Sequence, residues 1–282
     1  MSEAKLLLPH STGGSSGKGI SYYKMASKCP RKAQLITERK REGIMGNGSR
    51  ASRIGTYFHG LANLYYSGVL DDSIIEVSDI NYEQDYLEAQ RLWAGYLKAR
   101  PGEQYFGEVL ASEINFDGDL MEEKFDVPLS AQMDLVVDMT QEVCDKLEET
   151  DNLTLEPGVY IIDHKTKQRK DPNALSSYTR NMQFTGYQLI YQAIKNEDVK
   201  GMLANVIISH KEMRAKDLGP RKPRSFQLHH IPYPSEHNEA VFRTWLKNAH
   251  ELAKTALPLG VGYGCGDYGT CSFYEDGSCD RR

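Results

Sequence analysis

The stretch Ile161-Ile162-Asp163-His164-Lys165 is the most informative part of this 282-residue chain for both fold and chemistry. Aliphatic residues typical of a buried strand are followed at once by an acid, a histidine and a lysine. Side chains alternate along a strand, so Asp163 and Lys165 are predicted on one face and His164 on the other. Charged groups inside a sheet are costly to desolvate, so a ligand is expected to compensate them.

A second strand is predicted upstream, where Ala131-Gln132-Met133-Asp134-Leu135-Val136 again carries an acid among apolar residues. Strict alternation places Asp134 on the same face as Gln132 and Val136. The apolar side would then consist of Ala131, Met133, Leu135 and Val137. Carboxylates gathered at the centre of a sheet favour a divalent cation, and a nearby lysine suits a phosphate or a nucleophile. The two strands therefore predict metal-dependent phosphodiester chemistry.

Composition sets the broad class of the protein. With 40% apolar and 26% charged residues and a formal net charge of −5, it resembles ordinary soluble globular proteins. No stretch approaches the roughly 20 apolar residues that cross a bilayer, so no membrane association is expected. Residues 1–18 contain a Gly/Ser tract and are predicted to be a flexible tail rather than a signal peptide. A cytoplasmic location is expected.

Basic residues are concentrated in two runs, 28–53 and 211–224. Each run is interpreted either as a solvated surface or as a binding surface for phosphates, and two runs in a chain with metal-site features favour the second. The candidate nucleic-acid-binding residues are Arg31, Lys32, Arg53, Lys211, Arg214, Arg221, Lys222 and Arg224.

Hydrophobic periodicity predicts helices and strands in the order helix, three strands, helix, strand. The predicted helices are 49–66, 82–98, 179–195 and 236–255, the last with Val241, Trp245 and Leu252 as its apolar residues. The predicted strands are 108–116, 127–139, 158–165 and 203–209. The acidic segment 141–156 is interpreted as an exposed connection. This order predicts an α/β core with a mixed sheet.

The ordered set of motifs resembles the RecB-type nucleases of the PD-(D/E)XK superfamily. The resemblance covers residues 21–279. Its parts are Ser21, Cys29-Pro30-Arg31-Lys32, His59, Glu113, Asp134, Asp163-His164-Lys165 and Gln183-Phe184-Thr185-Gly186-Tyr187. The chain departs from that pattern at Ala131, where the family has a glycine three residues before the aspartate.

The resemblance implies a restriction-endonuclease-like core of order αβββαβ, preceded by a helical region and followed by a Cys-rich tail. The expected organisation is a flexible tail at 1–18, a nuclease domain at 19–257 and a Cys-rich segment at 258–282 that closes a cluster with Cys29.

The resemblance also implies roles for individual residues. Asp134 and Asp163 would bind Mg²⁺ or Mn²⁺ together with the backbone carbonyl of His164. His59 corresponds to the extra metal ligand of exonuclease members, with a packed helix histidine as the alternative. Lys165 would orient the attacking water and offset charge on the phosphate.

Three further residues have an assigned role and an alternative. Glu113 would position metal or water, unless it is an ordinary acid at a strand end. Gln183 and Tyr187, one helical turn apart, would contact the DNA backbone or support the lysine. For Tyr187, packing in the core is the alternative.

Of the five cysteines, Cys144 falls in the acidic segment and is interpreted as a bystander. The resemblance to iron–sulfur members of this nuclease branch implies a 4Fe–4S cluster held by four thiolates. These are Cys29, Cys265, Cys271 and Cys279. Their C-terminal spacing is C-x5-C-x7-C, whereas those members often have C-x2-C-x5-C. A zinc site on the same residues and free thiols remain alternatives.

The leading hypothesis is a Mg²⁺- or Mn²⁺-dependent DNA exonuclease that acts on single-stranded or end-containing DNA. Such an enzyme would serve recombination, repair or phage DNA metabolism in a bacterial, archaeal or phage-infected cell. A non-catalytic DNA-binding partner with the same fold and a restriction-type endonuclease are the alternatives. A homo-oligomer or a recombination or processing partner is left open.

Overall fold

A computed structural model describes residues 19–41, 50–68, 83–116, 122–167, 173–208 and 225–254. Its strands are β1 Glu108–Phe116, β2 Ala131–Met139, β3 Gly158–Lys167, β4 Val199–Ile208 and β5 Ser225–Pro232. They form one sheet in the order β1-β2-β3-β4-β5. Only β3 and β4 pair in parallel, and the other neighbours are antiparallel. The predicted α/β fold with a mixed sheet is therefore confirmed.

Helices cover both faces of this sheet. They are α1 Ile20–Ala26, α2 Pro30–Arg41, α3 Arg50–Tyr66, α4 Glu83–Ala99, α5 Glu122–Phe125, α6 Gln141–Asp151, α7 Ala174–Thr179, α8 Met182–Lys195 and α9 Glu236–Lys254. Helices α1, α8 and α9 share a core with one face of the sheet, here called the α8 face. Helices α3, α4 and α6 share a second core with the opposite face, here called the α3 face. Within the described ranges, no helix is long and apolar enough to cross a membrane.

The acidic segment after β2, predicted as an exposed connection, is largely exposed, but it forms the helix α6 and buries one side of it. Thr140 caps α6 by accepting a hydrogen bond from the backbone N–H of Val143, and Asn152 ends it in the left-handed conformation. Cys144 and Leu147, three positions apart, are buried against the α3 face. The acids Glu142, Asp145, Glu148 and Glu149 are exposed and obscured this short apolar stripe in the sequence.

Two other predicted helices differ from the observed ones. The helix expected at 179–195 is replaced by α7 and α8, which meet at Asn181, whose side chain caps α8. In α9 the buried residues are Phe242, Leu246 and Ala249, while Val241 and Leu252 are exposed. The prediction was therefore wrong for Val241 and Leu252, which lie beside the true stripe, whereas Trp245 is partly buried against the core. Strand β5 had no counterpart in the sequence prediction.

Alternation along β2 changes at Asp134, which corrects the expected apolar side of that strand. Met133 and Val136 lie in the core of the α8 face, whereas Leu135 and Val137 lie in the core of the α3 face. Both faces of β2 are thus buried, as expected for a strand with helices on either side.

The change coincides with an irregularity in the neighbouring strand. Glu113 of β1 has a φ of 48°, a left-handed value, between the pairs Ser112↔Leu135 and Ile114↔Met133. Such a φ is uncommon for a residue other than glycine, and it redirects the Glu113 side chain out of the regular pleat.

Candidate active site

The candidate site lies where two central strands part. Pairing between β2 and β3 ends at Leu135↔Ile162, whereas β3 continues along β4 as far as Lys167↔Ile208. Asp134 and Asp163 are the next residues beyond that last pair. The separation of the strands leaves room for both side chains at the centre of the sheet. We call this place the strand fork.

Three potential metal ligands converge at the strand fork. His59 of α3 places its Nδ1 3.3 Å from Asp134 Oδ1 and 4.0 Å from Glu113 Oε1. One ligand atom from each of the three residues lies within 4.8 Å of the others. Their side chains are partly exposed, by 27% for His59, 19% for Glu113 and 12% for Asp134, so a small ion can reach them.

Local hydrogen bonds hold the two acids of this cluster. The backbone N–H of His164 donates to Asp134 Oδ2 over 2.7 Å, which ties β2 to β3 beyond their last ladder pair. Gln132 donates from its Nε2 to the carboxylate of Glu113. One oxygen of each carboxylate remains directed toward His59.

Asp163, the other expected metal ligand, is paired with a lysine. Its carboxylate is 97% buried and lies 2.8 Å and 2.7 Å, through Oδ1 and Oδ2, from the ammonium of Lys165. Asp163 and Lys165 therefore share a face, with Lys165 lying near the ring of Phe184 on the α8 side. The structure brings Glu113, rather than Asp163, into the close group with His59 and Asp134.

The electrostatics of the acids reflect burial and crowding. Burial, followed by the charge of Asp134, raises the pKa of Glu113 to about 7. Burial also raises the pKa of Asp163 to about 6, although Lys165 opposes that rise. Burial alone would raise the pKa of Asp134, but the charge and hydrogen bond of His59 hold it well below its usual value.

The two basic groups respond in the opposite sense. Burial alone would lower the pKa of His59, yet Asp134 raises it to about 9. Burial would likewise lower the pKa of Lys165, and Asp163 and Asp134 raise it above its ordinary value. Both side chains are therefore positively charged near neutrality in this arrangement.

Helix α8 contributes a polar pair beside Lys165. Gln183 Nε2 donates a hydrogen bond to the hydroxyl of Tyr187 over 2.7 Å. Tyr187 is buried, and burial together with the charge of Asp163 raises the pKa of its hydroxyl. The two readings of Tyr187 are compatible, since it packs in the core of the α8 face while its hydroxyl contacts Gln183.

His164 lies on the opposite side of β3 from the two charged neighbours. Its ring is buried among Phe58, Tyr66 and Tyr96 of the α3 face. Burial lowers the pKa of His164 to about 4, so the ring is neutral. Asn205 of β4, which pairs with His164 in the ladder, contacts its Nδ1 at 2.9 Å.

Sequence reasoning missed Lys24 and Asn205. Burial lowers the pKa of Lys24 in α1. The charges of Lys28 and Lys165 lower it further. Its position near Lys165 depends on how α1 packs on α8, and no local pattern signals that. Asn205 falls in an apolar strand, where a single buried amide was a recognisable but unused signal.

The predicted nucleic-acid contacts are only partly described. Arg31 and Lys32 are half-buried on α2. Arg53 is engaged in an ion pair with Asp85, at 2.7 Å. Lys211, Arg214, Arg221, Lys222 and Arg224 lie outside the described residues.

The four cysteines of the predicted cluster are also only partly described. Cys29 is buried immediately before α2. Cys265, Cys271 and Cys279 lie outside the described residues. Cys144, interpreted as a bystander, is buried in the core of the α3 face.

The donor set at the strand fork suits a hard divalent cation. Two carboxylates and an imidazole offer oxygen and nitrogen ligands, and a cation would offset the burial and the charge of Asp134 that together raise the pKa of Glu113. The buried Asp163–Lys165 pair beside that set supplies a charged group for a phosphate or a water molecule.

Comparison with known proteins identifies the class of this protein. The sequence profile of the PD-(D/E)XK nuclease superfamily matches residues 20–275, so the chain belongs to that superfamily. Membership indicates a metal-dependent nuclease with DNA as its substrate. Solved structures that match include the crystal structure of SSO0001, at 11% identity and a TM-score of 0.36, over 88% of this chain and 84% of that one. No curated protein matches the chain.

Proposed function

We propose that this nuclease is a Mg²⁺- or Mn²⁺-dependent DNA exonuclease of the RecB-type branch. Its substrate would be the ends of single-stranded or processed DNA during recombination, repair or phage DNA metabolism. The observation that carries the proposal is the position of His59, 3.3 Å from Asp134 and within the group that includes Glu113. In the resemblance described above, a histidine at this place is the extra metal ligand of exonuclease members.

Each residue of the strand fork has a chemical task in this proposal. His59, Glu113 and Asp134 would hold the metal ion, with Asp163 and the backbone carbonyl of His164 beside them. The bound ion would supply Lewis-acid activation of the phosphate and lower the pKa of a water molecule. Lys165, whose ammonium is held by Asp163 at 2.7 Å, would orient a water molecule and stabilise negative charge on the phosphate.

Helix α8 would support the same step. Gln183 and Tyr187 are hydrogen-bonded to each other and lie on the side of Lys165. We propose that Gln183 contacts a backbone phosphate and that Tyr187 keeps the Gln183 amide in place.

Positive charge beside the site favours a path for DNA across α1 and α2. Burial lowers the pKa of Lys24, and the nearby charges of Lys28 and Lys165 lower it further. Clustered ammonium groups repel one another, and a polyanion relieves that repulsion. We propose that Arg31 and Lys32 extend this surface and that the basic run 211–224 contributes to it.

The test is cleavage of matched DNA substrates. End-labelled linear DNA and covalently closed circular DNA of the same sequence are incubated with Mg²⁺ or Mn²⁺. We expect progressive shortening of the linear DNA and no defined cut in the circle. Rapid cutting of closed duplex at one sequence would favour a restriction-type endonuclease. Binding of both substrates without cleavage would favour a non-catalytic partner.

We also propose that Cys29, Cys265, Cys271 and Cys279 ligate one 4Fe–4S cluster. Helix α2, which follows Cys29, packs beside the end of α9, where Gln34 Nε2 donates to the carbonyl of Ala253 over 3.2 Å. The described part of the chain ends at residue 254, in α9, which packs against α2. Eleven residues of extended chain reach about 35 Å, which suffices to bring Cys265 back.

The domain division is proposed in the same terms. The nuclease domain would span 19–257, with the N-terminal helices as part of it, and 258–282 would form the closing segment. Helix α1 supports the first part of this division, because Ile20 lies in the same core as Phe184 and Phe242.

A further inference from the structure

A chain of buried polar groups runs through the aromatic core behind the strand fork. His164 Nδ1 contacts Asn205 Nδ2 at 2.9 Å, and the same amide nitrogen donates to the hydroxyl of Tyr96 over 3.3 Å. The hydroxyls of Tyr96 and Tyr66 are 2.7 Å apart. We call these four residues the buried polar chain, and none of them is more than 6% exposed.

The hydrogen-bonding groups define the state of His164. An amide nitrogen can only donate, so Nδ1 of His164 accepts and the ring proton is on Nε2. The ring is held in one orientation, because it stacks on Tyr66 with an interplanar angle of 13° and meets the edges of Phe58 and Tyr96. The His164 side chain is thereby fixed to α3, α4 and β4 at once.

The backbone of the same residue is part of the candidate active site. The N–H of His164 donates to Asp134 Oδ2, and its neighbours in the chain are Asp163 and Lys165. At this point β3 has lost pairing with β2 and keeps only β4 as a neighbour. The side chain of His164 therefore restrains β3 from the α3 face and from β4, at the point where pairing with β2 no longer does so.

Stability alone does not account for the buried polar chain. An imidazole, an amide and two hydroxyls are costly to bury, and apolar side chains of similar shape would fill this core at lower cost. Within the described residues, Asn205 Oδ1 and His164 Nε2 have no hydrogen-bond partner, which adds to that cost. Groups retained at such a cost beside a reactive centre are expected to serve its geometry.

We infer that Asn205, Tyr96 and Tyr66 are positioning residues which, through His164, hold the β3 backbone so that Asp134 is presented to the metal ion. This inference rests on the proposed metal-dependent function. Because Asn205, Tyr96 and Tyr66 would touch neither DNA nor metal, their replacement should change metal binding and turnover and leave the KM for DNA unchanged.

The test uses Asn205→Leu and Tyr96→Phe, with Tyr160→Phe as a matched control. Tyr160 is also on the α3 face and its hydroxyl is hydrogen-bonded to Glu156, away from the strand fork. Mn²⁺ binding to the purified full chain is measured by calorimetry, and cleavage is measured against Mn²⁺ concentration. We expect about 10-fold weaker Mn²⁺ binding or more in the first two variants, the range found for groups that orient metal ligands. The control should bind Mn²⁺ as the wild type does.

The outcomes separate this inference from the function on which it rests. If Asn205→Leu and Tyr96→Phe both bind Mn²⁺ as tightly as the wild type does, the inference is overturned and the proposed function is not. A wild-type protein that binds no Mn²⁺ would overturn the proposed function and the inference with it. Tyr96→Phe removes one oxygen atom only, so it remains informative if Asn205→Leu fails to fold. Equal loss of Mn²⁺ binding in Tyr160→Phe would mean that the effect is general loosening of the core, and would also overturn the inference.

Discussion

Two aspartates on β2 provide a direct test at the scale of single residues. Asp134 is turned into the strand fork beside His59, whereas Asp138, four positions along the same strand, is exposed. Asp134→Asn removes a charge that would hold the metal ion. We expect a loss of cleavage rate of about 100-fold or more, the scale typical of positioned catalytic groups.

Initial cleavage rates and DNA affinity should be measured for both variants. Asp138→Asn should cut at the wild-type rate, and Asp134→Asn should retain its affinity for DNA. A wild-type rate in Asp134→Asn would remove this residue from the active site.

A single carboxylate of α4 binds two arginines of α3, in addition to the apolar core that the two helices share. Asp85 of α4 accepts hydrogen bonds from Nε of Arg50 and of Arg53, each over 2.8 Å. Burial alone would raise the pKa of Asp85, but the two guanidinium groups hold that pKa below its usual value. Because the pKa is lower in the folded state, the charged carboxylate stabilises the protein above about pH 4, and this stabilisation is lost as the pH falls below that value.

Asp85→Asn should therefore lower the free energy of unfolding by about 1–3 kcal/mol at pH 6. It should also reduce the loss of stability between pH 6 and pH 3, measured by urea denaturation at each pH. The exposed Glu103→Gln should leave both quantities near wild type. Equal pH dependence in Asp85→Asn and wild type would contradict the role of this ion pair.

The packing of α1, α8 and α9 depends on one glycine. A Cβ at position 186 would lie 2.5 Å from Cδ1 of Ile20 and 2.8 Å from Cζ of Phe242. Gly186→Ala should overpack this contact and lower the free energy of unfolding by about 1–3 kcal/mol. Denaturant unfolding should show this loss, with the neighbouring Thr185→Ala close to wild type. Unchanged stability in Gly186→Ala would mean that the three helices can separate at little cost.

At the scale of the whole molecule, the proposed cluster joins the two ends of the chain. Ligation by four thiolates stabilises only the folded state, so losing one ligand should lower the melting temperature. Anaerobically purified protein should be brown, with broad absorption near about 400 nm. Cys271→Ser should lose this colour and melt at a lower temperature. Colourless wild-type protein with stoichiometric zinc would favour a zinc site, and metal-free protein would overturn both.

Cys144→Ser is a control for the brown colour of the protein. It is not a control for the melting temperature. Cys144 is buried in the core of the α3 face, where a hydroxyl without a partner is destabilising. We therefore expect Cys144→Ser to melt at a lower temperature and to keep the colour of the wild type.

The amino-acid sequence by itself determined the fold class and the chemical type of the site. Strand β1 was predicted with its observed bounds, and β3 to within two residues. Aliphatic runs that end at turn-forming residues are local signals in the sequence. The common face of Asp163 and Lys165 also followed from local alternation. Such features depend on a few residues that are neighbours in the chain, so they can be predicted from a short segment of sequence.

Only the tertiary structure decided how the site is assembled. Strict alternation misassigned β2 at Asp134, because the turn of Glu113 to a φ of 48° and the fork between β2 and β3 arise from strand pairing. The contact of His164 with Asn205 joins residues 41 positions apart in the sequence. Its contact with Tyr96 of α4 spans a still larger sequence separation. Side chains so far apart in sequence meet only after the sheet and both cores have formed, and no local pattern specifies which polar groups then face one another.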